Sequence, residues 1–276
     1  MDGSLASGVT TTRTTAARPP APAPKPLSPW SRRAAVLSPF ILVGAWALLS
    51  YSHLFPAEIV VPPEVIWKTF VTEWSSGDLP KHLFNSLARL AAGYVIGALI
   101  GIVFGVAAGL SRQIEAYVMP SFYILRQLPT IALIPAFIMV LGVGETVKIV
   151  LVAKATALPV ALAAFQGVRG IPRSYFDVAR IFRIGPVGLF FRVVLPATLP
   201  PVFQGLRTAL SHAWVVLVAA ELLIADSGIG QLLEWGRQTF RLDIVLMGVV
   251  LTGIIGFALD KGFRVLESGL TRGRGA

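Results

Sequence analysis

Beyond Ala34 the chain alternates long apolar runs with short polar breaks. A helix that crosses a membrane needs about 20 mostly apolar residues. Six runs qualify: Ala34 to Tyr51, Leu87 to Leu110, Val118 to Leu141, Val147 to Val168, Pro201 to Ile224 and Ile244 to Phe263. The pattern therefore predicts an all-α integral membrane protein with about six transmembrane helices. Two stretches between the runs are amphipathic instead. "FPAEIVVPPEVIWKTFVTEWSSGDLPKHL" predicts a short surface helix over the mouth of the bundle, and "SYFDVARIFRIGPVGLFFRVVLP", Ser174 to Pro196, predicts two short helices meeting at a turn.

Two runs carry more in their pattern. Gly93, Gly97, Gly101, Gly105 and Gly109 fall at every fourth position, so they form a slowly wrapping ridge without side chains, roughly 25 Å long at about 1.5 Å per residue. Lipid supplies no hydrophobic drive between helices, so such a ridge is a place for close packing, by a helix of the same chain or of a second copy. The third run contains Pro120, Pro129 and Pro135. Each removes a backbone hydrogen bond, which predicts an irregular helix facing the protein interior.

Composition agrees with this class and adds orientation. The 276 residues are 55% hydrophobic and 14% charged, with a mean hydropathy of +0.73, whereas soluble proteins average about 25% charged. The net charge of +10 marks cytoplasmic loops in a membrane chain rather than a nucleic-acid surface. With the N-terminus inside, 15 of the 24 Lys and Arg residues fall on the cytoplasmic side and 5 outside, counting those at span ends with the adjoining loop. Arg89, Arg126, Lys154 and Arg207 lie within the runs. Both termini and the Ser174 to Pro196 stretch are thus expected in the cytoplasm.

Residues 1–33, rich in Ala, Pro, Thr and Arg, read as a disordered cytoplasmic tail and not a signal peptide, because the apolar run begins only at Ala34. Residues 34–86 then hold the first transmembrane helix and an external amphipathic segment. Residues 87–267 form the core domain, with a loop over 169–197, and 268–276 a second cytoplasmic tail. There is no Cys, and His53, His82 and His212 lack helix-spaced metal partners, so neither a metal site nor a catalytic residue is predicted. His212, in an apolar run, is expected to be a hydrogen-bonded core residue.

The Ser174 to Pro196 stretch reads as an elbow. Tyr175, Val178, Ala179 and Phe182 share one helical face, with Asp177 and Arg180 on the other. Ser174 and Asp177 have capping-box spacing. Gly185 permits a sharp turn, and Pro186 suits the first position of a second helix running to Leu195. Pro196, Pro200 and Pro201 are expected to end it before the fifth run. By physics alone this elbow lies either on lipid headgroups or in the groove of a protein partner. Phe190 and Phe191 exceed the apolar bulk a shallow membrane helix needs, and Asp177 is unfavourable among anionic lipids. A protein groove fits both features better.

At these residues the chain resembles the permease subunits of ABC importers. Their cytoplasmic loop has the form E-A-A, three residues, G, nine residues, I-x-L-P, and it docks into the ATPase subunit. Asp177, Ala179, Val193, Leu195 and Pro196 stand in that register, with Val178 in place of an Ala and Arg183 where the family has Gly. Other stretches look like the nitrate, sulfonate and taurine branch: Arg126, Pro129, Ala132 and Pro135 in R-x-x-P-x-x-A-x-x-P, then Gly142, Gly144, Glu145, Lys148 and Ile149 in G-x-G-E-x-x-K-I, then Ala219 to Glu221 and Ser227 to Gly230. The resemblance covers roughly Leu87 to Glu267. It implies a type I importer bundle in a bacterial inner membrane, working as a pair with two cytoplasmic ABC ATPases and a periplasmic binding protein. Tyr175, Asp177, Ala179, Phe182, Gly185, Leu195 and Pro196 would then form the coupling elbow.

The chain has no G-x-x-x-x-G-K-S/T, so no cofactor is predicted here and ATP is expected on the partner subunit. Ionisable groups inside spans face a pathway or a partner, because burying one in lipid costs about 3 kcal/mol. Arg126, Pro129, Lys154, Arg207 and Glu221 are therefore candidates for lining an anion pathway. Equally, Glu221 pairs with a basic group to hold the bundle together. A self-contained channel or secondary transporter is the rival class, and such proteins often show internal repeats that this chain lacks. An intramembrane enzyme would need a paired acid and base or a metal cluster. Among anions an aliphatic sulfonate is expected first, followed by taurine, nitrate and aromatic carboxylates.

Overall fold

In the computed structural model of the protein the described residues are 37, 41, 43–52, 60–224 and 226–271, and the regular elements among them are helical. The predicted tail over 1–33 and part of the first span, 34–36, 38–40 and 42, lie outside the described residues; of that span, 43–51 are helical. Met1–Leu48 and Leu49–Ala276 are separate compact units. The second contains α1 (Pro63–Ser75), α2 (Asp78–Leu110), α3 (Arg112–Gln127), α4 (Ile134–Leu141), α5 (Glu145–Arg169), α6 (Arg173–Ile181), α7 (Pro186–Ile224), α8 (Ile229–Gln238) and α9 (Leu242–Thr271). Among the described residues α2, α5, α7 and α9 are each long and apolar enough to cross a membrane, and α3 with 131–141 makes a fifth, bent crossing.

Helix α5 is the centre of the bundle because small residues on both neighbours let it approach. A Cβ on Gly97, Gly101 or Gly105 of α2 would lie 2.2–2.6 Å from a backbone oxygen of α5, and one on Gly93 or Gly109 would strike Val152 or Val168. The ridge is thus filled within the chain, without a second copy. On the other side of α5, Gly205 of α7 abuts Ala163, and Gly167 of α5 abuts Pro201. Leu90, Val152, Leu210, Trp214 and Leu217 of these helices, with Ile229 and Leu233 of α8, make the main core.

The proline-rich run is irregular, as expected, but only part of it faces inward: Met119, Phe122 and Ile134 are buried, whereas most of its other residues are exposed. Helix α3 passes through Pro120, the chain breaks at Leu128 to Thr130 around Pro129, and Pro135 sits in the first turn of α4. The two pieces are bent by 89°. That bend swings α4 to the outside of the bundle, where Met139 is 89% exposed, while Ile134 alone of its residues is fully buried. Lys154 of α5 holds the break: its Nζ donates to the Leu128 carbonyl at 3.3 Å and to Thr130 Oγ1 at 3.1 Å. Leu128 ends a helix, so its carbonyl lacks an intrahelical partner, and an ammonium there also suits the helix dipole.

Helix α1 is the expected surface helix. Pro63 opens it, and Trp67, Phe70 and Trp74 stack along one side at 5.4 and 5.7 Å. Thr69 Oγ1 donates to Asp243 Oδ2 at 2.8 Å, which pins α1 to the first turn of α9. The short amphipathic α8, buried through Ile229, Leu232 and Leu233, lies between the predicted fifth and sixth runs, where the pattern predicts no element.

Candidate functional site

The elbow begins at α6. Pro172, not Ser174, is its N-cap, and no side chain caps it; Ser174 lies inside the first turn, so the capping-box spacing is not used. Phe176 and Ala179 turn inward, Phe176 against Val168, Ile171 and Val194. Ala179 is 3% exposed, so it seats α6 on the bundle and cannot itself touch a partner. Tyr175, Val178, Ile181 and Phe182 are all exposed. Asp177 and Arg180 form a 3.6 Å pair in solvent, which contributes little.

The turn is made by Arg183 rather than by Gly185. Arg183 has φ +53, the left-handed conformation that glycine adopts without steric cost. Its N–H donates to the Arg180 carbonyl at 3.0 Å, and the Ile184 N–H reaches the Ala179 carbonyl at 2.9 Å. These two bonds are a Schellman C-cap with an arginine in the glycine position. Gly185 is extended at φ −66 and has open space around its Cα. It is the N-cap of α7, and Pro186 takes the first helical position as expected.

The prolines after the elbow do not end this helix. Residues Pro186–Ile224 run continuously, with a π turn over Phe190–Val194 in which the Leu195 N–H reaches back to the Phe190 carbonyl. The widened turn immediately precedes Pro196, whose ring an unmodified α-helix would drive against the preceding turn. Leu195 is at the margin of exposure. Tyr175 and Pro196, with Gln166, Arg192 and Pro201, line a cavity of about 610 Å³ between the end of α5, the elbow and α7.

A second feature lies at the far end of α7, and neither pairing by spacing nor composition exposes it. Glu221 is fully buried. Its two oxygens share the Ser86 hydroxyl, at 2.9 and 2.8 Å, and it also accepts from Arg89 Nη1 (2.7 Å) and from the Gly230 N–H (3.1 Å). Arg89 also meets Glu145 through Nε at 2.5 Å and Nη2 at 2.7 Å, and its Nη1 donates to the Ser227 carbonyl at 2.5 Å. Lys148 Nζ donates to Glu145 Oε1 at 2.7 Å. Four charges from α2, α5 and α7 thus form one neutral cluster, the arrangement a buried charge requires. The 226–230 loop closes it: Gly228 has φ +120, a Cβ there would lie 2.4 Å from the Glu221 carboxyl carbon, and its N–H donates to His82 Nδ1 at 2.8 Å.

The candidate pathway residues are therefore scattered. Glu221 is in this cluster, Lys154 at the α3–α4 break, and Arg126 and Pro129 are exposed near that break. Arg207 pairs with Asp260 of α9 through Nε and Nη2, at 2.7 and 3.1 Å. His212 is exposed on α7 and is not a core residue. Arg89 is Glu221's partner. Its place inside an apolar run was a signal; the identity of its partner was not.

Residues 97–272 match the family "Binding-protein-dependent transport system inner membrane component". The chain belongs to this family. It is 34% identical over 239 residues to the aliphatic sulfonates transport permease protein SsuC of Bacillus subtilis, covering 87% of each chain. Against the Escherichia coli protein of the same name it is 35% identical over 243 residues, covering 88% of this chain and 92% of the relative. Family members named for taurine and bicarbonate transport match at 30% and 29% identity. A chain of the inward-facing MetNI methionine ABC transporter shares the fold, with a TM-score of 0.53 at 22% identity over 67% of this chain and 94% of that one. This is a multi-pass inner-membrane transport permease with a type I importer-like fold.

Proposed function

We propose that this permease is the transmembrane subunit of an ATP-driven importer for a small anion, an aliphatic sulfonate first. The observation that carries the reading is the elbow. Helix α6 and its C-cap leave Tyr175, Val178, Ile181 and Phe182 exposed, and a contiguous exposed apolar patch marks an interaction surface. A rigid Schellman turn then joins it to α7. Two copies of the permease pair in the membrane, each elbow seats in the groove of a cytoplasmic ATPase that binds ATP, and a periplasmic binding protein delivers the anion. Both termini are cytoplasmic in this arrangement. Closure of the ATPases pushes the elbows, and α7, roughly 58 Å long at about 1.5 Å per residue, carries the push to the Glu221 end. That is a rigid-body switch between two states.

Co-purification with the ATPase subunits of the same organism tests this. The wild type holds an ATPase through the wash, whereas Asp177→Lys combined with Phe182→Asp loses it while inserting normally. Equal retention by both, or by neither, would place the elbow on lipid and remove the basis for ATP-driven transport.

A further inference from the structure

We infer that the Arg89 fork, now filled by the carboxylate of Glu145, is a binding site for the transported oxyanion, which enters by exchanging with Glu145. This rests on the importer reading and names the chemistry of one station within it. The two carboxylates of the cluster are not equivalent. Glu221 has no exposed side-chain surface and accepts from Ser86, Arg89 and the Gly230 N–H, so it is the fixed counter-ion. The side chain of Glu145 is 59% exposed, while those of the two cations it bridges, Arg89 and Lys148, are 6% and 2% exposed. Two deeply buried cations are thus covered by one exposed carboxylate.

That carboxylate borders a cavity of about 300 Å³ lined by Asn85, Ala88, Arg89, Glu145, Ile149 and Ser227. The lining offers neutral donors beside the cations: Ser227 Oγ accepts from both Asn85 Nδ2 and Arg89 Nη2, at 3.0 and 2.8 Å, which leaves its own proton for an incoming oxygen. Glu145 opens α5 just after Gly142, at φ +76, and Gly144. A Cβ on either glycine would meet nothing within 4 Å, so the segment carrying Glu145 has space in which to turn.

The chemistry selects the ligand. Nε and Nη2 of a guanidinium present two parallel donors that fit two oxygens of a carboxylate or sulfonate alike. Lys148 Nζ supplies a third. Removing Glu145 without replacement would leave two buried cations facing a single fixed carboxylate, which is strongly unfavourable. Glu145 therefore swings away only when another anion takes the fork. A neutral or cationic solute cannot drive the exchange, so the cluster acts as an anion-selective entry.

The purified full-length chain in lipid nanodiscs is titrated calorimetrically with sodium methanesulfonate and with sodium acetate, using sodium chloride at equal ionic strength as control. In Glu145→Gln, where the competing carboxylate is gone, at least one of the two oxyanions binds about ten-fold tighter than to wild type or better. In Arg89→Lys, which loses the fork, that binding weakens by a similar factor of about ten. Unchanged or weaker binding in Glu145→Gln overturns the inference, as does chloride giving the same tightening. Should Glu145→Gln fail to fold, Glu145→Asp, whose carboxylate is drawn back by one methylene, must show a smaller tightening, and its absence overturns the inference equally. ATPase capture by the same preparations separates the two claims. Capture without tightening removes the site and leaves the importer; tightening without capture removes the importer and leaves an oxyanion site.

Discussion

Arg183 shows how one side chain departs from its local preference and is still held. The left-handed conformation is unfavourable for a residue with a Cβ, yet the Ile184 to Ala179 and Arg183 to Arg180 hydrogen bonds require it. Arg183→Gly is expected to stabilise the chain by about 0.5–1 kcal/mol, because relief of the strain exceeds the added freedom of the unfolded chain. Arg183→Val, with a branched Cβ in the same conformation, is expected to lower stability. Thermal unfolding of the two purified variants beside wild type checks both signs. The resemblance that pointed to the elbow placed Gly at this position; the geometry explains why, and shows that arginine fills the same role under strain.

Among the elements, the glycines divide by what faces them. Gly105 meets the Ala161 backbone oxygen, so a side chain there must push α2 and α5 apart. Gly105→Val is expected to cost about 2 kcal/mol or more. Gly253 of α9 has nothing within 4 Å of an added Cβ, and Gly253→Ala leaves stability unchanged or raises it by up to about 1 kcal/mol. Denaturant titration of the pair tests the contrast. The α3–α4 break depends on Lys154 in the same local way. Lys154→Met removes a charged donor from the Leu128 carbonyl, a loss worth about 1.5–3 kcal/mol, so amide exchange at 131–134 is expected to rise about ten-fold or more. Exchange that is unaltered there would mean the break holds itself.

At the scale of the molecule, α7 joins the elbow to the Arg89 cluster. Pro186 starts that helix at the elbow, and Glu221 lies near its other end inside the Arg89 cluster. A push on the elbow must therefore reach the cavity beside Glu145 if the helix moves as one body. The absence of Cys makes this measurable, since Ala88→Cys places a unique thiol on the cavity wall. In the assembled complex its labelling by a polar maleimide is expected to change about ten-fold between nucleotide-free and ATP-bound states. The Asp177→Lys, Phe182→Asp variant should abolish that difference. A rate that ignores nucleotide in the wild type would mean that the two ends move independently.

What the amino-acid order determined by itself was local. Apolar run length marked α2, α5, α7 and α9 as crossings, because spanning depends only on consecutive residues and bilayer thickness. Proline at 129 announced the break, Pro186 the start of α7, and the four-residue glycine spacing a packing face. Pairing across helices was decided only in three dimensions. Nothing in the order of residues states that Arg89 meets Glu145 and Glu221, 56 and 132 positions away, or that Arg207 meets Asp260. Such partners are selected by which helices the glycine ridge brings together and by the need to neutralise each buried charge, both properties of the packed bundle.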